Sequence, residues 1–212
     1  MKKFKLLLIG IVLIVLVGFD ANNFTPDNLV DDYQKEYLSE EINSCSDSAI
    51  KTYMDYRAIT NTASTQYRFI DEHMNVDKSG LLIDGDGFIG VALGSYYGPI
   101  GSRYYFTLSS GAILPLVKVE AKSDNHTVGG CNAQDGSVIE FVIDSDVAHN
   151  FFGGNNGYVL NGNFNNYEAF NGEIIKVEAV LNEKKKAYNI EYIMPTPQQF
   201  DNQDIFKDTS GF

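Results

Sequence analysis

The stretch FIGVALGSYYGPIGSRYYFTLSSGAILPLVKVEA, residues 88 to 121, contains three apolar runs rich in β-forming residues. Valine, isoleucine, phenylalanine and tyrosine favour strands, and the Gly-Pro and Ser-Ser-Gly clusters between the runs mark turns. Similar short runs extend from KTYMDYRAIT, which begins at residue 51, to AYNIEYIM, which ends at residue 194. No helical period interrupts them, so the sequence predicts an all-β domain over residues 49 to 194, built as a small barrel or sandwich.

The composition and charge narrow the classes of function. Of 212 residues, 44% are hydrophobic and 21% are charged, which is typical of a globular protein. The formal net charge of −12 argues against a nucleic-acid partner, because binding a phosphate backbone requires a basic surface. We therefore expect one folded domain with short appendages and no nucleic-acid ligand.

The first twenty residues, MKKFKLLLIGIVLIVLVGFD, have the features of an export signal or a membrane anchor. The uncharged apolar run from Leu6 to Phe19 is shorter than the ~20 residues that span a bilayer, which favours a cleaved signal peptide. No small-residue cleavage motif follows, so a cleaved signal and an N-terminal anchor both stay open. In either case the positive flank predicts an extracytoplasmic protein, membrane-anchored or secreted.

Two polar segments flank the predicted domain. Residues 21 to 48 are acidic, and Thr25 followed by Pro26 predicts the start of a short helix over residues 26 to 41, acting as a stalk. The tail, residues 195 to 212, has prolines and polar residues without periodicity, so we expect it to be disordered or loosely docked.

The chain has two cysteines, Cys45 and Cys131. Outside the cytoplasm they form a natural disulfide pair, with two free thiols as the alternative. A bond between them would close a loop of about 86 residues and stabilise the fold by up to about 4 to 4.5 kcal/mol in the chain-entropy model.

The candidate catalytic residues begin with Asp124, in the loop AKSDNHT that follows an apolar strand. Alternate residues of an extended segment share a face, so Lys122, Asp124 and His126 can converge on one ligand. Asp124 is the candidate acid/base of this site. The competing interpretation is that Asp124 begins a turn and binds nearby backbone amides, and that His126 is an ordinary hydrogen-bonded polar residue.

Glu140 is the second candidate carboxylate, because it interrupts the apolar strand SVIEFVI. A buried carboxylate requires a partner, for which Arg57, Lys122 and Arg103 are candidates. Two carboxyls with separated pKa values can supply the acid and base of glycoside cleavage. Lys122, Arg57, Tyr96 and Tyr97 are then candidate substrate-binding residues, since exposed tyrosines stack on sugar faces; the alternative places the tyrosines in the core.

Other chemistries fit the sequence less well. No Gly-x-Ser-x-Gly elbow is present, and the three histidines are too far apart in sequence to indicate a zinc site. We therefore predict no metal and no cofactor. A Cys131 nucleophile activated by His126 remains a minor alternative that competes with the disulfide.

Four motifs resemble those of uncharacterised exported or phage-associated bacterial proteins: YMDYRAIT (53 to 60), VALGSYYGPIGSRY (91 to 104), KSDNHT (122 to 127) and GSVIEFVID (136 to 144). More distantly, their layout is similar to the double-psi β-barrel three-aspartate domain of cell-wall lytic proteins. That resemblance implies a single small barrel in which Asp124 and Glu140 match the second and third acids, while Ala92-Leu93-Gly94 stands where the first would be.

The resemblance implies action on peptidoglycan or another envelope glycan. One hypothesis is an enzyme of the lytic transglycosylase kind, in which the substrate's own hydroxyl is the nucleophile and Asp124 is the acid/base. A second is a non-catalytic module that binds cell-wall glycan or a surface partner, in line with the missing first aspartate. A third is a phage or envelope structural component without chemistry.

Overall fold

The computed structural model describes residues 35–153 and 163–184, with side chains up to residue 181. This part of the chain is mostly β-sheet with two short helices, which confirms the β-rich prediction. The elements are β1 (Tyr37–Ile42), β2 (Thr52–Asp55), α1 (Thr65–His73), β3 (Met74–Val76), β4 (Leu82–Asp84), β5 (Ile89–Leu93), β6 (Arg103–Leu108), β7 (Ile113–Ala121), β8 (Thr127–Val128), β9 (Asn132–Ala133), β10 (Glu140–Ile143), α2 (Ser145–Phe152) and β11 (Ile174–Lys184).

Nine strands form one mixed sheet in the order β1-β11-β6-β7-β5-β10-β2, with β4 attached to β5 and β3 to β4. The pairs β5–β7 and β2–β10 are parallel, and the other pairs of this sheet are antiparallel. Within residues 35–153 and 163–184 the end strands β1 and β2 do not pair, so the sheet is open. The predicted closed barrel is therefore not what this part of the chain forms, because a period of two specifies strands but not which strands pair.

Both faces of the sheet are buried, and alternate residues of one strand supply two different clusters. In β6, Tyr104 and Phe106 belong to the larger cluster, whereas Tyr105 belongs to the smaller one on the opposite side. All five residues of β5 are buried. A strand covered on both sides has an apolar sequence without alternation, which explains the composition of IGVAL.

The two helices correct the expectation that no helix interrupts the strands. Ser64 caps α1 by accepting a hydrogen bond from the Tyr67 amide, and Asp144 caps α2 through the amides of Asp146 and Val147. Helices of nine and eight residues are too short for a clear helical period, although Ser and Asp are strongly preferred caps.

The predicted stalk helix over residues 26 to 41 is wrong for its C-terminal part, since Tyr37–Ile42 is strand β1, paired antiparallel with β11. Tertiary contacts decide this conformation: the Tyr37 amide donates to the Tyr105 hydroxyl at 3.2 Å, and Lys35 pairs with Glu178. The start of that stalk, the signal or anchor segment and the tail lie outside the described residues. Among the described residues, no helix has the length and hydropathy needed to cross a membrane.

The predicted disulfide is present between Cys45 and Cys131, whose Cα atoms are 5.7 Å apart. It joins the segment after β1 to the loop between β8 and β9. Cys45 has a left-handed backbone with φ of 66°, which an L-residue adopts only where its surroundings hold it. The bond therefore fixes the chain before β2 against the loops at one end of the sheet.

Lys51 is a fully buried cation at the start of β2. Its ammonium donates to the carbonyls of Gly172 at 2.8 Å and Ala49 at 3.1 Å, and to the Asn165 side chain at 3.4 Å. Burial lowers the pKa of Lys51 to about 8. Because carbonyls solvate this cation without neutralising it, the neutral amine is favoured more in the folded protein than in the unfolded chain.

The stability of the protein should therefore rise with pH through the titration of Lys51. Between about pH 8 and about pH 10 the unfolded chain binds more protons at this residue than the folded protein, so wild type should gain up to about 3 kcal/mol relative to Lys51→Met. Urea unfolding at several pH values measures this difference. The exposed Lys78→Met variant is the matched control, and its free energy of unfolding should change with pH as that of wild type does. A difference in unfolding free energy between wild type and Lys51→Met that does not change with pH would contradict this account.

Candidate functional site

Two glutamates flank one alanine in the middle of the sheet. Ala92 of β5 is opposite Glu140 of β10 on one side and opposite Glu120 of β7 on the other. Residues opposite one another across paired strands present their side chains on the same face. Glu120 and Glu140 therefore lie on one face, separated by a strand that offers only a methyl group between them.

A β-bulge in β7 gives Glu120 this orientation. Val91 is opposite Lys118, but the next residue of β5, Ala92, is opposite Glu120, so Val119 is an extra residue. Without the bulge, Ala92 would face Val119 and Glu120 would project to the other side of the sheet. The bulge thus turns a carboxylate toward Glu140.

These residues line a pocket of about 530 Å³, a volume typical of small-ligand sites. Its floor is Ala92, and Glu120, Lys122 and Glu140 supply its charged groups. The opposite wall comes from β2, from the segment between β2 and α1, and from the first turn of α1. That wall is neutral and partly apolar, and includes Met54, Ile59, Thr60, Asn61, Ser64 and Gln66.

Lys122 brings a cation into the pocket. Its amide donates to the Leu93 carbonyl at 3.0 Å, which holds the residue directly beyond the end of β5. Burial lowers the pKa of Lys122, while the charges of Glu140 and Asp135 act in the opposite direction. Among the described residues, none accepts a hydrogen bond or forms an ion pair within 4.0 Å with its ammonium, so the amine is available to a ligand.

The two glutamates differ in how firmly the protein holds them. Glu120 accepts a hydrogen bond from the Ala121 amide at 2.9 Å and a longer one from Gln66 at 3.4 Å. Glu140 is half-buried, and its carboxylate accepts no hydrogen bond from the part of the chain that the structure describes. The carboxylate oxygens of Glu140 can therefore accept hydrogen bonds from a ligand.

Asp124 lies elsewhere, in an exposed turn over Asp124–His126. Its carboxylate accepts a hydrogen bond from the Ser95 hydroxyl at 2.6 Å, and its carbonyl accepts a long one from Thr127. His126 is exposed in the same turn. The structure thus brings Lys122 and Glu140 together as the sequence suggested, and does not place Asp124 or His126 among the described residues that line their pocket.

The two tyrosines proposed for substrate binding have different positions. Tyr97 is fully buried, where its hydroxyl donates to the Ser44 carbonyl at 3.0 Å, so a ligand cannot reach its ring. Tyr96, the next residue, is 44% exposed. Of this pair, only Tyr96 offers a face for stacking on a sugar.

Arg57 is bound to the N-terminal end of α2. Its guanidinium contacts Asp146 at 2.7 Å and Asp55 at 2.6 Å. Hydrogen bonds to these acids raise the pKa of Arg57 and lower that of Asp55. Arg57 lines a neighbouring, more apolar pocket with Ile70 and Met74, and its charge is already matched by acids.

The loops at the pocket end of the sheet are packed backbone against backbone. Gly94 touches the Gly130 carbonyl so closely that a Cβ at residue 94 would overlap it, and the Tyr96 amide donates to the same carbonyl at 3.0 Å. Buried Lys118 donates to the carbonyls of Gly94 and Gly98 at 2.7 Å each. These contacts fix the loop that carries Tyr96 and Ser95.

Replacing Gly94 tests this packing. Gly94→Ala should destabilise the protein by about 2 to 3 kcal/mol, because the new methyl group meets rigid backbone rather than a movable side chain. Gly85→Ala is the matched control, since nothing lies within 4 Å of a Cβ there, and it should change stability by no more than about 0.5 kcal/mol. Thermal and urea unfolding measure both. Equal stability of the two variants would show that residues 94 and 130 are not in contact.

Comparison with known proteins gives no relative: no family model, no curated protein and no solved structure matches this chain. Within residues 35–153 and 163–184, no three His, Cys, Asp or Glu side chains are arranged to share a metal ion. The charged groups that line the pocket are two carboxylates and an amine, and its other lining side chains are neutral.

Sequence reasoning proposes Glu140 and Lys122 as site residues, but it does not propose Glu120, which lines the same pocket. Glu140 stands out because it interrupts an apolar strand. Glu120, in the pattern VKVEA, looks like a solvent-facing strand residue at the end of β7. Only the parallel pairing of β7 with β5 and the bulge at Val119 place it beside Ala92, and neither leaves a local sequence signal.

Proposed function

We propose that this protein acts outside the cytoplasm on a cell-envelope glycan and cleaves peptidoglycan strands in the manner of a lytic transglycosylase. The observation that carries the proposal is the placement of Glu120 and Glu140 on either side of Ala92 in one pocket. Two carboxyls facing a common pocket are the arrangement that glycoside cleavage requires.

The spacing suits this chemistry. Two strand intervals separate the Cα atoms of Glu120 and Glu140 by about 10 Å, and flexible side chains can bring the carboxyls closer across the small Ala92. Paired carboxyls in glycosidases lie about 5 to 9.5 Å apart. A sugar ring bound in the pocket would have both carboxyls within reach.

Glu140 takes the role of the acid/base, in place of Asp124: it protonates the departing oxygen and, as the carboxylate, then takes the proton of the attacking hydroxyl. A proton donor must reach the glycosidic oxygen. Glu140 lines the pocket and accepts no hydrogen bond from the described residues, whereas the Asp124 carboxylate accepts one from Ser95 in an exposed turn. Glu120, which accepts a hydrogen bond from the Ala121 amide, stabilises the positive charge that develops at the anomeric carbon. Lys122 and the neutral wall position the substrate.

The disulfide supports the cellular setting. The Cys45–Cys131 bond suits an oxidising compartment outside the cytoplasm, in line with the signal-like N-terminus.

A non-catalytic glycan-binding module is the second candidate. Tyr96 favours it, because this ring is 44% exposed on a loop that backbone contacts hold rigid. A rigid exposed tyrosine can stack on a sugar without any carboxylate chemistry. In that case binding would depend on Tyr96 and not on Glu140.

The test is to incubate the full-length protein in detergent micelles with purified peptidoglycan and analyse the products by mass spectrometry. Wild type should release fragments with anhydro-sugar ends, because the substrate's own hydroxyl is the nucleophile. Glu140→Gln should lower the rate by at least about 100-fold, which is the usual contribution of a general acid. The exposed Glu173→Gln is the matched control and should equal wild type.

Two further variants separate the candidates. Asp124→Asn should keep the activity of wild type if the acid is Glu140. Tyr96→Ala should weaken co-sedimentation with peptidoglycan if the protein is a binding module. Absence of cleavage by wild type, together with co-sedimentation that Tyr96→Ala abolishes, would replace the enzyme by the binding module.

A further inference from the structure

A second pocket, called the apolar pocket because Ile70, Met74 and Leu82 line it, adjoins the pocket of the two glutamates. Its volume is about 530 Å³, and it lies between the segment after β2, helix α1 and strands β3 and β4. Ile59 and Thr60 line both pockets, so one short segment forms the boundary between them. A branched ligand bound in one pocket can therefore extend into the other.

The walls of the apolar pocket suit an alkyl chain. Met74 and Leu82 are buried, and Val76 is 41% exposed. Alkyl groups that move from water onto such side chains gain hydrophobic free energy in proportion to the area they bury. Two aromatic rings, those of Tyr56 and Tyr67, also line this pocket, and tyrosine rings attract ammonium groups through cation–π interactions.

Acids outnumber cations at the apolar pocket. Asp71 of α1 lines it, and no described residue forms a hydrogen bond or an ion pair with the Asp71 carboxylate. The only cation among the described residues of the lining is Arg57. Three acids lie within 3.8 Å of that guanidinium: Asp55, Asp144 and Asp146. The local charge therefore disfavours an anionic ligand, whereas a cation can pair with Asp71.

We propose that the apolar pocket binds an alkylammonium side chain of a peptide attached to the glycan, while the glycan itself occupies the pocket of the two glutamates. This inference rests on the proposed function, and it specifies the peptide that the substrate carries. The alkyl part of the side chain packs on the aliphatic residues of the apolar pocket. Its ammonium pairs with Asp71 and is attracted by the tyrosine rings.

This assignment distinguishes between two kinds of peptidoglycan. The peptides of peptidoglycan contain a diamino acid, which is either lysine or diaminopimelate. A lysine side chain ends in an ammonium alone, whereas a diaminopimelate side chain ends in an ammonium and a carboxylate. That extra carboxylate would lie among the acids of the apolar pocket, and like charges repel. The site therefore prefers lysine-containing peptides whose side-chain amine is not cross-linked.

Calorimetric titration of the full-length protein in detergent micelles with synthetic peptides tests the assignment. The probe is N-acetyl-L-alanyl-γ-D-glutamyl-L-lysine amide, in which the only amine is that of the lysine side chain. Acetylation of this amine should weaken binding at least about fivefold, because the product cannot form an ion pair. The same peptide with diaminopimelate in place of lysine should also bind more weakly. Equal affinity for the lysine and acetyl-lysine peptides, or no binding of the lysine peptide, would overturn the inference.

Variants of the protein then locate the binding. Asp71→Asn should weaken binding of the lysine peptide about fivefold and leave binding of the acetylated peptide unchanged. Glu72→Gln is the matched control, since it removes the same charge from the next residue of α1, which is exposed and is not among the described residues of the lining. It should bind the lysine peptide as wild type does.

A substitution in the lining itself provides a second test. Val76→Lys should weaken binding of the lysine peptide more than Asp71→Asn does, because it adds a repelling cation at an exposed position of the apolar pocket. Binding that neither Val76→Lys nor Asp71→Asn changes would show that the peptide binds elsewhere.

These titrations do not depend on cleavage, so the two proposals fail separately. Binding of the lysine peptide that both Asp71→Asn and Val76→Lys weaken, in a protein that does not cleave peptidoglycan, would overturn the enzyme and support the peptide site of a binding module. Cleavage that Glu140→Gln abolishes, together with equal affinity for the lysine and acetyl-lysine peptides, would overturn the peptide site and support the enzyme.

Discussion

The position of strand β5 between β7 and β10 is the constraint on which the site depends. β5 runs parallel to β7 and antiparallel to β10, and each of its five residues is buried. Backbone hydrogen bonds on both edges and apolar packing on both faces leave this strand no freedom to shift. Since Ala92 is fixed in this way, the residues opposite it are fixed as well.

Two local features then form the pocket beside this buried strand. The side chain at residue 92 is small, and the bulge at Val119 directs Glu120 to the same face as Glu140. Beyond the strand ends, Leu93 holds the backbone of Lys122, and the Cys45–Cys131 bond and the Gly94–Gly130 contact hold the surrounding loops. A rigid scaffold that holds the side chains of a pocket in place is the support that a ligand-binding or catalytic site needs.

Sequence patterns predict those parts of the structure that depend on residue type and on residues nearby in the sequence. Alternating and apolar runs identified most strands, and the compartment argument identified the disulfide, because both depend on residue type. The helix predicted over strand β1 is wrong, since tertiary contacts such as the pairing with β11 and the Tyr105 hydroxyl hold its acidic sequence as a strand. Glu140 was found because a charge interrupts an apolar strand, whereas Glu120 requires the bulge and a parallel partner distant in sequence. Asp124 was a candidate because Lys122 and His126 lie close to it in sequence. In the structure its carboxylate accepts a hydrogen bond from the Ser95 hydroxyl.

The register around Ala92 is the central claim, and nuclear Overhauser effects in the full-length protein test it most directly. The account predicts interstrand effects from the backbone protons of Ala92 to those of both Glu120 and Glu140. Effects from Ala92 to Val119 in place of Glu120 would mean that β7 has no bulge there. Glu120 would then project from the opposite face of the sheet, and the two carboxylates would not share a pocket.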